Sequence, residues 1–491
     1  GKIISNSNRL LAIDNDKTAL SGNLIFKHKF KKLRRTLSLT TDWKNTGIDG
    51  TNFLKSTNNF ISSGTTQLID QKTDIDKSTS DVTAKLTYTE PLGKKYSLEL
   101  GYQFGINHGT NDQMSYGMNA ATGKYEIAID SLTNNFRQNI TQQTPSAKIN
   151  YNFKKLKMNI GTGVSFTDFQ LTDITRNINY DRTYTNFFPT ASLNYSYKSN
   201  HNLRFNYSGS TQQPTISQLQ PLTNNQDPFN KYIGNPGLKP SFTNRFNLSH
   251  NSYNFIKDIW AYQGFNVSLT DNSITNNTVT NYATGVTTSQ SINTDGNISM
   301  SFWGGGGFKL KKIDTRFNIN PNVSYNKYAN FLNGVKSFSQ NLSTGISLWV
   351  SKSKEKKYDV SLGNDFNHVD NKTTTSDTKI KYFTNTLSLN ATVYYKKVWS
   401  VISDYQYYTR QKTAQVAAFN NSLWNARLQR TFKSDEFTAY VTVRDILNQN
   451  KGIDRNFSDN KFSETRNDRL QRYWMVGFAW NFKNKAATAK K

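Results

Sequence analysis

The chain has 491 residues and 61 Lys and Arg against 34 Asp and Glu, a net charge of +27, yet only 35% of it is hydrophobic and 13% aromatic. Three soluble domains of that length would need more apolar side chains, since globular chains run at about 45–50% on a count that includes Gly. A disordered chain would hold fewer aromatic and β-branched residues, so what remains is a chain mostly of strands in which every second residue is polar.

No run of roughly 18 apolar residues occurs, so no transmembrane helix is expected; the densest run is the short Trp474 to Trp480. Zero Cys excludes disulfide frameworks, thiolate zinc sites and cysteine nucleophiles. The chain starts at Gly1 without an initiator Met or a basic-then-apolar leader. That start is expected of a chain whose leader was removed, or of one that belongs to a longer polypeptide.

Period-two alternation runs from end to end. Ala19 to Lys29 reads as a strand entering a short turn, and residues 1–13, whose alternation is poor, as a separate strand running the other way. Val82, Ala84, Leu86 and Tyr88 alternate with Thr and Lys, turn at Pro91 to Lys95, and continue as Tyr96, Leu98, Leu100, Tyr102 and Phe104. The unit returns as Ala147, Ile149, Tyr151, Phe153, a Lys154-Lys155 turn, then Leu156, Met158 and Ile160. Leu193, Tyr195, Tyr197 and Leu203, Phe205, Tyr207 flank the next turn, and Leu387 to Tyr395 and Trp424 to Leu428 lead into later ones. Nine short turns are expected, near Lys31, Leu92, Lys155, Ser199, Ile256, Lys312, Glu355, Lys396 and Ser434.

Alternation suits a soluble sandwich as well, and three details decide against one. Aromatic residues crowd the turn ends of the apolar faces, the girdle position at a membrane interface. Short basic turns lie roughly 40–60 residues apart with long Asn/Thr/Ser-rich connections between them, whereas a sandwich turns every 8–12 residues or so. The other face is polar throughout and leaves no second apolar set for a core between sheets. The expected fold is all-β, a transmembrane antiparallel up-and-down β-barrel of about 20–22 strands. Residues 1–482 are expected to form the barrel and 483–491 a basic tail; whether the barrel is N-terminally incomplete is left open.

Two segments resemble a known family. Pro214, Leu219 and Pro221, followed by Gly234-Asn235-Pro236-Gly237-Leu238-Lys239-Pro240 and a strand, resemble the barrel of TonB-dependent outer-membrane receptors, most of all the outer membrane protein beta-barrel group. Asp445-Ile446-Leu447-Asn448-Gln449 is similar to that family's exit from the penultimate strand, and the alternation Trp474, Val476, Phe478, Trp480, Phe482 resembles its terminal strand. The resemblance implies a receptor in the outer membrane of a Gram-negative bacterium that imports a nutrient ligand. Its partners would be outer-membrane lipid and lipopolysaccharide, the assembly machinery that reads the terminal strand, and the TonB energy-transducing complex acting through a plug domain. No plug or TonB-contacting segment is visible in this sequence. The alternative is a plugless passive pore or scaffold working with a partner such as a lipoprotein lid. The connections 107–142, 212–240, 271–296 and 448–467 would form the outer binding surface.

Other candidate sites are weak. The positive charge sits as lysine pairs in turns, which suits anionic lipid head groups and gives no reason to expect nucleic acid. Arg204 and Arg427 fall on the polar face and would favour anionic solutes. Gly304 to Gly307 lacks the Lys-Ser/Thr of a phosphate loop and is expected to thin a strand where a neighbour comes close. The five His are scattered and no cofactor or metal is expected. Asp365, His368 and Asp370 are weighed as an outer-membrane protease site and set aside, because such neighbours are common by chance.

Overall fold

A computed structural model describes residues 3–482 apart from 62, 220–222, 225, 226, 228, 375, 415, 416, 433–435, 451, 459 and 460. The expected tail 483–491, Pro221 and the turn at Ser434 lie outside the described residues. One sheet holds 25 strands, and a separate hairpin pairs Ile453–Ser458 with Lys461–Arg466. Five of the 25 belong to long connections: Lys124–Ala128, Thr223–Asn224, Asn230–Ile233, Ser273–Thr280 and Thr287–Thr294. Two more, Ile178–Phe187 and Thr190–Lys198, pair with successive parts of Leu156–Asp173 and are one strand interrupted at Phe188-Pro189. That leaves nineteen in unbroken antiparallel succession, from Ser5–Lys29 to Tyr473–Trp480.

Eight of the nine short turns fall where the sequence puts them, all at one end of the succession. Residues 1–13 differ from expectation. Ser5–Lys29 is a single strand in register with Thr36–Phe60 from Ser5 opposite Phe60 to Lys29 opposite Thr36. Crossing lipid takes about 9–11 tilted residues, while 25 residues at about 3.3 Å each extend to about 80 Å. The upper half therefore stands above the bilayer with water on both faces, and the apolar alternation that marks a strand is lost there. Much of the expected 107–142 loop is sheet for the same reason, with Tyr96–Asn119 paired to Asn134–Phe153. The first and last of the nineteen strands run the same way, so antiparallel pairing between them is excluded by parity.

Apolar residues face outward. Leu24, Ile160, Phe187 and Phe478 are each at least 60% exposed and Val476 is 84% exposed, while the described residues include only ten buried hydrophobic side chains. Pairing keeps the two faces separate across the sheet: Leu86 lies opposite Tyr102, Met158 opposite Leu193, and Val441 opposite Val476. The sheet is held by ladder hydrogen bonds and register, with lipid on the side where a globular protein has its core.

Candidate functional site

The largest buried apolar cluster lies on the inner face. Along Leu156–Asp173 the even positions Met158, Ile160 and Phe166 are exposed to the outside, and the odd positions Ser165, Thr167, Phe169 and Leu171 are buried on the other face. Phe136 and Ile140 of the preceding strand and Tyr180 and Tyr184 of the following one share that inner face through their register. Leu219 and Leu238 complete the cluster with Phe136, Phe169 and Leu171. Both belong to the connection between His201–Gln212 and Ser241–Asn254, whose described residues therefore fold inward onto the wall.

Local chemistry shapes that fold. A single helical turn, Ile216–Leu219, is closed by reciprocal bonds: Thr215 N–H donates to Gln218 Oε1 at 2.9 Å and Gln218 N–H to Thr215 Oγ1 at 3.4 Å. This is the Thr-x-x-Gln capping box, readable in the sequence. Asn235 Oδ1 accepts from Gly237 N–H at 2.8 Å, and its Nδ2 donates to the Ser291 carbonyl at 3.0 Å. Asn293 clamps Lys239 by accepting from its N–H at 2.8 Å and donating to its carbonyl at 2.9 Å. Arg182 reaches from the wall to donate to the carbonyls of Leu238, at 3.0 Å, and Pro236. Pro214 and Gly234 are buried within the same fold. Sequence reasoning missed Arg182 and Asn293, because nothing in a strand's own pattern marks a side chain that bonds a loop 54–56 residues away.

The same segment spans the mouth. Asp227 pairs with Arg9 at 3.6 Å and Phe229 packs on Phe60 at 5.5 Å, so residues between the eighth and ninth strands touch the first two. The curled sheet and the inward segment together narrow the interior.

Lower on the wall, Gly264, Gly305 and Gly307 take the edges of aromatic rings. A methyl group on Gly264 would stand 2.1 Å from Trp303 Cε2, on Gly305 2.6 Å from Tyr262 Cζ, and on Gly307 2.5 Å from Trp260 Nε1. Trp260, Tyr262 and Trp303 form a contiguous aromatic strip at 5.4 and 5.5 Å ring spacings. The glycine run thins the strand for these rings, as the sequence suggested. Trp349 lies over Gly363, and Tyr440 over Gly477, in the same manner.

Asp445, Asn448 and Gln449 build the exit from Phe437–Arg444. Asp445 is buried with φ 49°, and its carboxylate accepts from Gln449 N–H and Asn450 N–H, each at 2.9 Å. Asn448 Oδ1 accepts from Arg472 N–H at 3.1 Å and Gln449 Oε1 from Ser422 N–H at 3.0 Å, while Leu447 is exposed. Trp474, Val476, Phe478 and Trp480 all face outward on the terminal strand, and Phe482 packs tilted against Trp480 at 4.0 Å.

The weaker candidates separate. Asp365 lies on the inner face, whereas His368 and Asp370 are on the outer one; His368 packs on Phe383 and Asp370 pairs with Lys381 at 3.0 Å. Among the described residues no group of His, Asp and Glu has the makings of a metal site. Arg204 is exposed on the inner face, and Arg427 lies 3.7 Å over the Tyr440 ring. Above the bilayer, burial and a 2.7 Å bond to Asp70 push the Tyr125 phenol up to about 12. The hydrogen bonds that Arg137 donates to Asp112 raise its pKa, and burial lowers that of Lys77.

An outward apolar face, a polar inner wall, short turns at one end and long connections at the other define a β-barrel of the outer membrane. The chain belongs to the outer membrane protein beta-barrel family, whose model matches residues 28–480. No curated protein matches it by sequence. Among solved structures it is similar to FpvA of P. aeruginosa in complex with a heterologous ferric pyoverdine (12% identity, 95% of this chain, 56% of that one, TM-score 0.48). It is also similar to the ferric citrate transporter FecA without ligand (11%, 90%, 62%, 0.49) and to the ferric-catecholate import receptor Fiu of E. coli K12 (10%, 95%, 64%, 0.49). The chain thus spans 56–64% of the length of these proteins.

Proposed function

We propose that this chain is the barrel of an outer-membrane importer for a nutrient ligand, driven by the TonB complex through a plug-type domain. The observation that carries the reading is the inward 213–240 segment, seated on Phe136, Phe169 and Leu171 and held by Arg182. An open sieve gains nothing from covering its own polar wall, whereas a receptor that passes one ligand on demand needs its interior closed at rest. The ligand would meet the long connections first, where Ser291 and Asn293 already hold the inward segment. Among the described residues no convergent nucleophile or acid–base pair supports an enzyme.

Uptake separates this from the passive alternative, a plugless pore with a lipoprotein lid. Cells carrying the gene should lose uptake of the nutrient when the TonB complex is disabled, and the reconstituted protein should show little standing conductance. Large constant conductance together with uptake that survives loss of TonB would establish the passive pore instead.

A further inference from the structure

The short-turn end carries a charge asymmetry that neither transport nor folding explains. Four consecutive turns, at residues 30–35, 92–95, 154–155 and 199–200, are linked into one arc. Arg34 donates to the Lys94 carbonyl at 2.7 Å, Asn152 N–H to the Lys95 carbonyl at 2.8 Å, and Lys155 Nζ to the Tyr197 carbonyl at 2.8 Å. The arc presents Lys32, Arg35, Lys94, Lys95, Lys154 and Lys155. Its one ion-paired carboxylate among the described residues is Glu90, which Arg35, at 2.7 Å, and Lys32 already hold. Lys94, Lys95, Lys154 and Lys155 are exposed and have no carboxylate partner among the described residues. Two turns in the other half of the succession carry paired carboxylates, Asp258 with Arg316 at 2.9 Å and Asp314 with Lys309 at 2.6 Å.

These ammonium groups, none of them held by a carboxylate among the described residues, sit beside the lipid-facing belt. Phe153 shares the outward face with Ile149 and Tyr151, and Tyr151 packs on Tyr96 at 5.1 Å. Lys95 Nζ lies 4.0 Å over the Phe153 ring and Lys154 Nζ 5.2 Å from it, so two cations flank one girdle ring. Exposed Leu33 and Leu92 add apolar contacts at the same level. Aromatic girdles mark the depth at which acyl chains give way to head groups, and short turns mark the periplasmic side.

We propose that Lys94, Lys95, Lys154 and Lys155, around Phe153, bind the phosphate of an anionic phospholipid of the periplasmic leaflet. The ammonium groups meet the phosphate, while Phe153, Leu33 and Leu92 meet the upper acyl chain. An unneutralised cluster favours a head group with net negative charge over a zwitterionic one, in which an attached cation cancels the phosphate.

The test uses the full chain in vesicles of phosphatidylcholine with or without phosphatidylglycerol, and compares Tm. The variant carries Lys94→Gln, Lys95→Gln, Lys154→Asn and Lys155→Gln, with Asn at 154 because φ there is 50°. Lys311→Gln with Lys312→Gln on the opposite arc serves as the control. The wild type and the control should gain Tm from phosphatidylglycerol and the four-site variant should lose that gain. Its affinity for the anionic lipid should fall on the order of tenfold, with the difference shrinking in high salt. The proposal is overturned if the wild type gains nothing, if the four-site variant keeps the gain, or if inorganic phosphate added to the protein in detergent reproduces it.

Discussion

Arg182 holds two carbonyls of the inward segment, and removing its guanidinium leaves both without their donor. Arg182→Ala is expected to cost about 1–3 kcal/mol by that loss, to expose residues 213–240 to limited proteolysis and to raise standing conductance, leaving the strand content unchanged. Asp445 is a second fixed point, because its carboxylate satisfies two backbone N–H groups in a left-handed turn. Asp445→Ala should loosen the connection to Tyr473–Trp480, read as faster amide exchange at Gln449 and Asn450, while Asp445→Asn should retain part of the protection. Tyr125 gives a pH signature. Its phenol is pushed up to about 12 by burial and the bond to Asp70. The folded state therefore keeps a proton that the unfolded chain releases near the ordinary value of about 10. The stabilisation is complete below pH 10 and is lost as the pH climbs from about 10 towards 12. The ultraviolet titration of the wild type minus that of Tyr125→Phe should show one phenol with a midpoint near 12, and a midpoint near 10 would remove this account.

Strands here are defined by what lies on each face, and the inner glycines show how tightly. Gly264 faces Trp303 with no room for a methyl group. Gly264→Ala should turn that indole off the wall, at a cost of about 1–3 kcal/mol for the overpacking. A red-shifted tryptophan emission would report the turn, and Gly264→Ala combined with Trp303→Leu should recover most of the lost stability. An unchanged emission would show that the ring has another resting place. The eight turns within the described residues and the outward alternation were legible because each is local: Lys154 and Lys155 close a hairpin between strands whose faces are already fixed by lipid. Residues 1–13 were read as a separate strand for the same physical reason, since above the bilayer no apolar face is required and the period fades.

At the scale of the whole molecule the usual order of inside and outside is reversed, with Ile160 and Val476 exposed and Asn and Ser lining the interior. The folded chain should stay in the membrane fraction and, once extracted, keep its sheet in detergent but aggregate when detergent is removed; stable solubility in buffer alone would contradict the lipid-facing assignment. Composition, charge and period by themselves determined the β-barrel class, the turn positions and which face of each strand meets lipid, because these depend on residues at most a few positions apart. Only the tertiary structure decided that Leu219 and Leu238 turn inward, that Arg182 and Asn293 hold their segment, that Asp365 and His368 face opposite ways, and that Lys95 and Lys154 flank one ring. Those features join residues tens of positions apart through register and curvature, which no local pattern encodes.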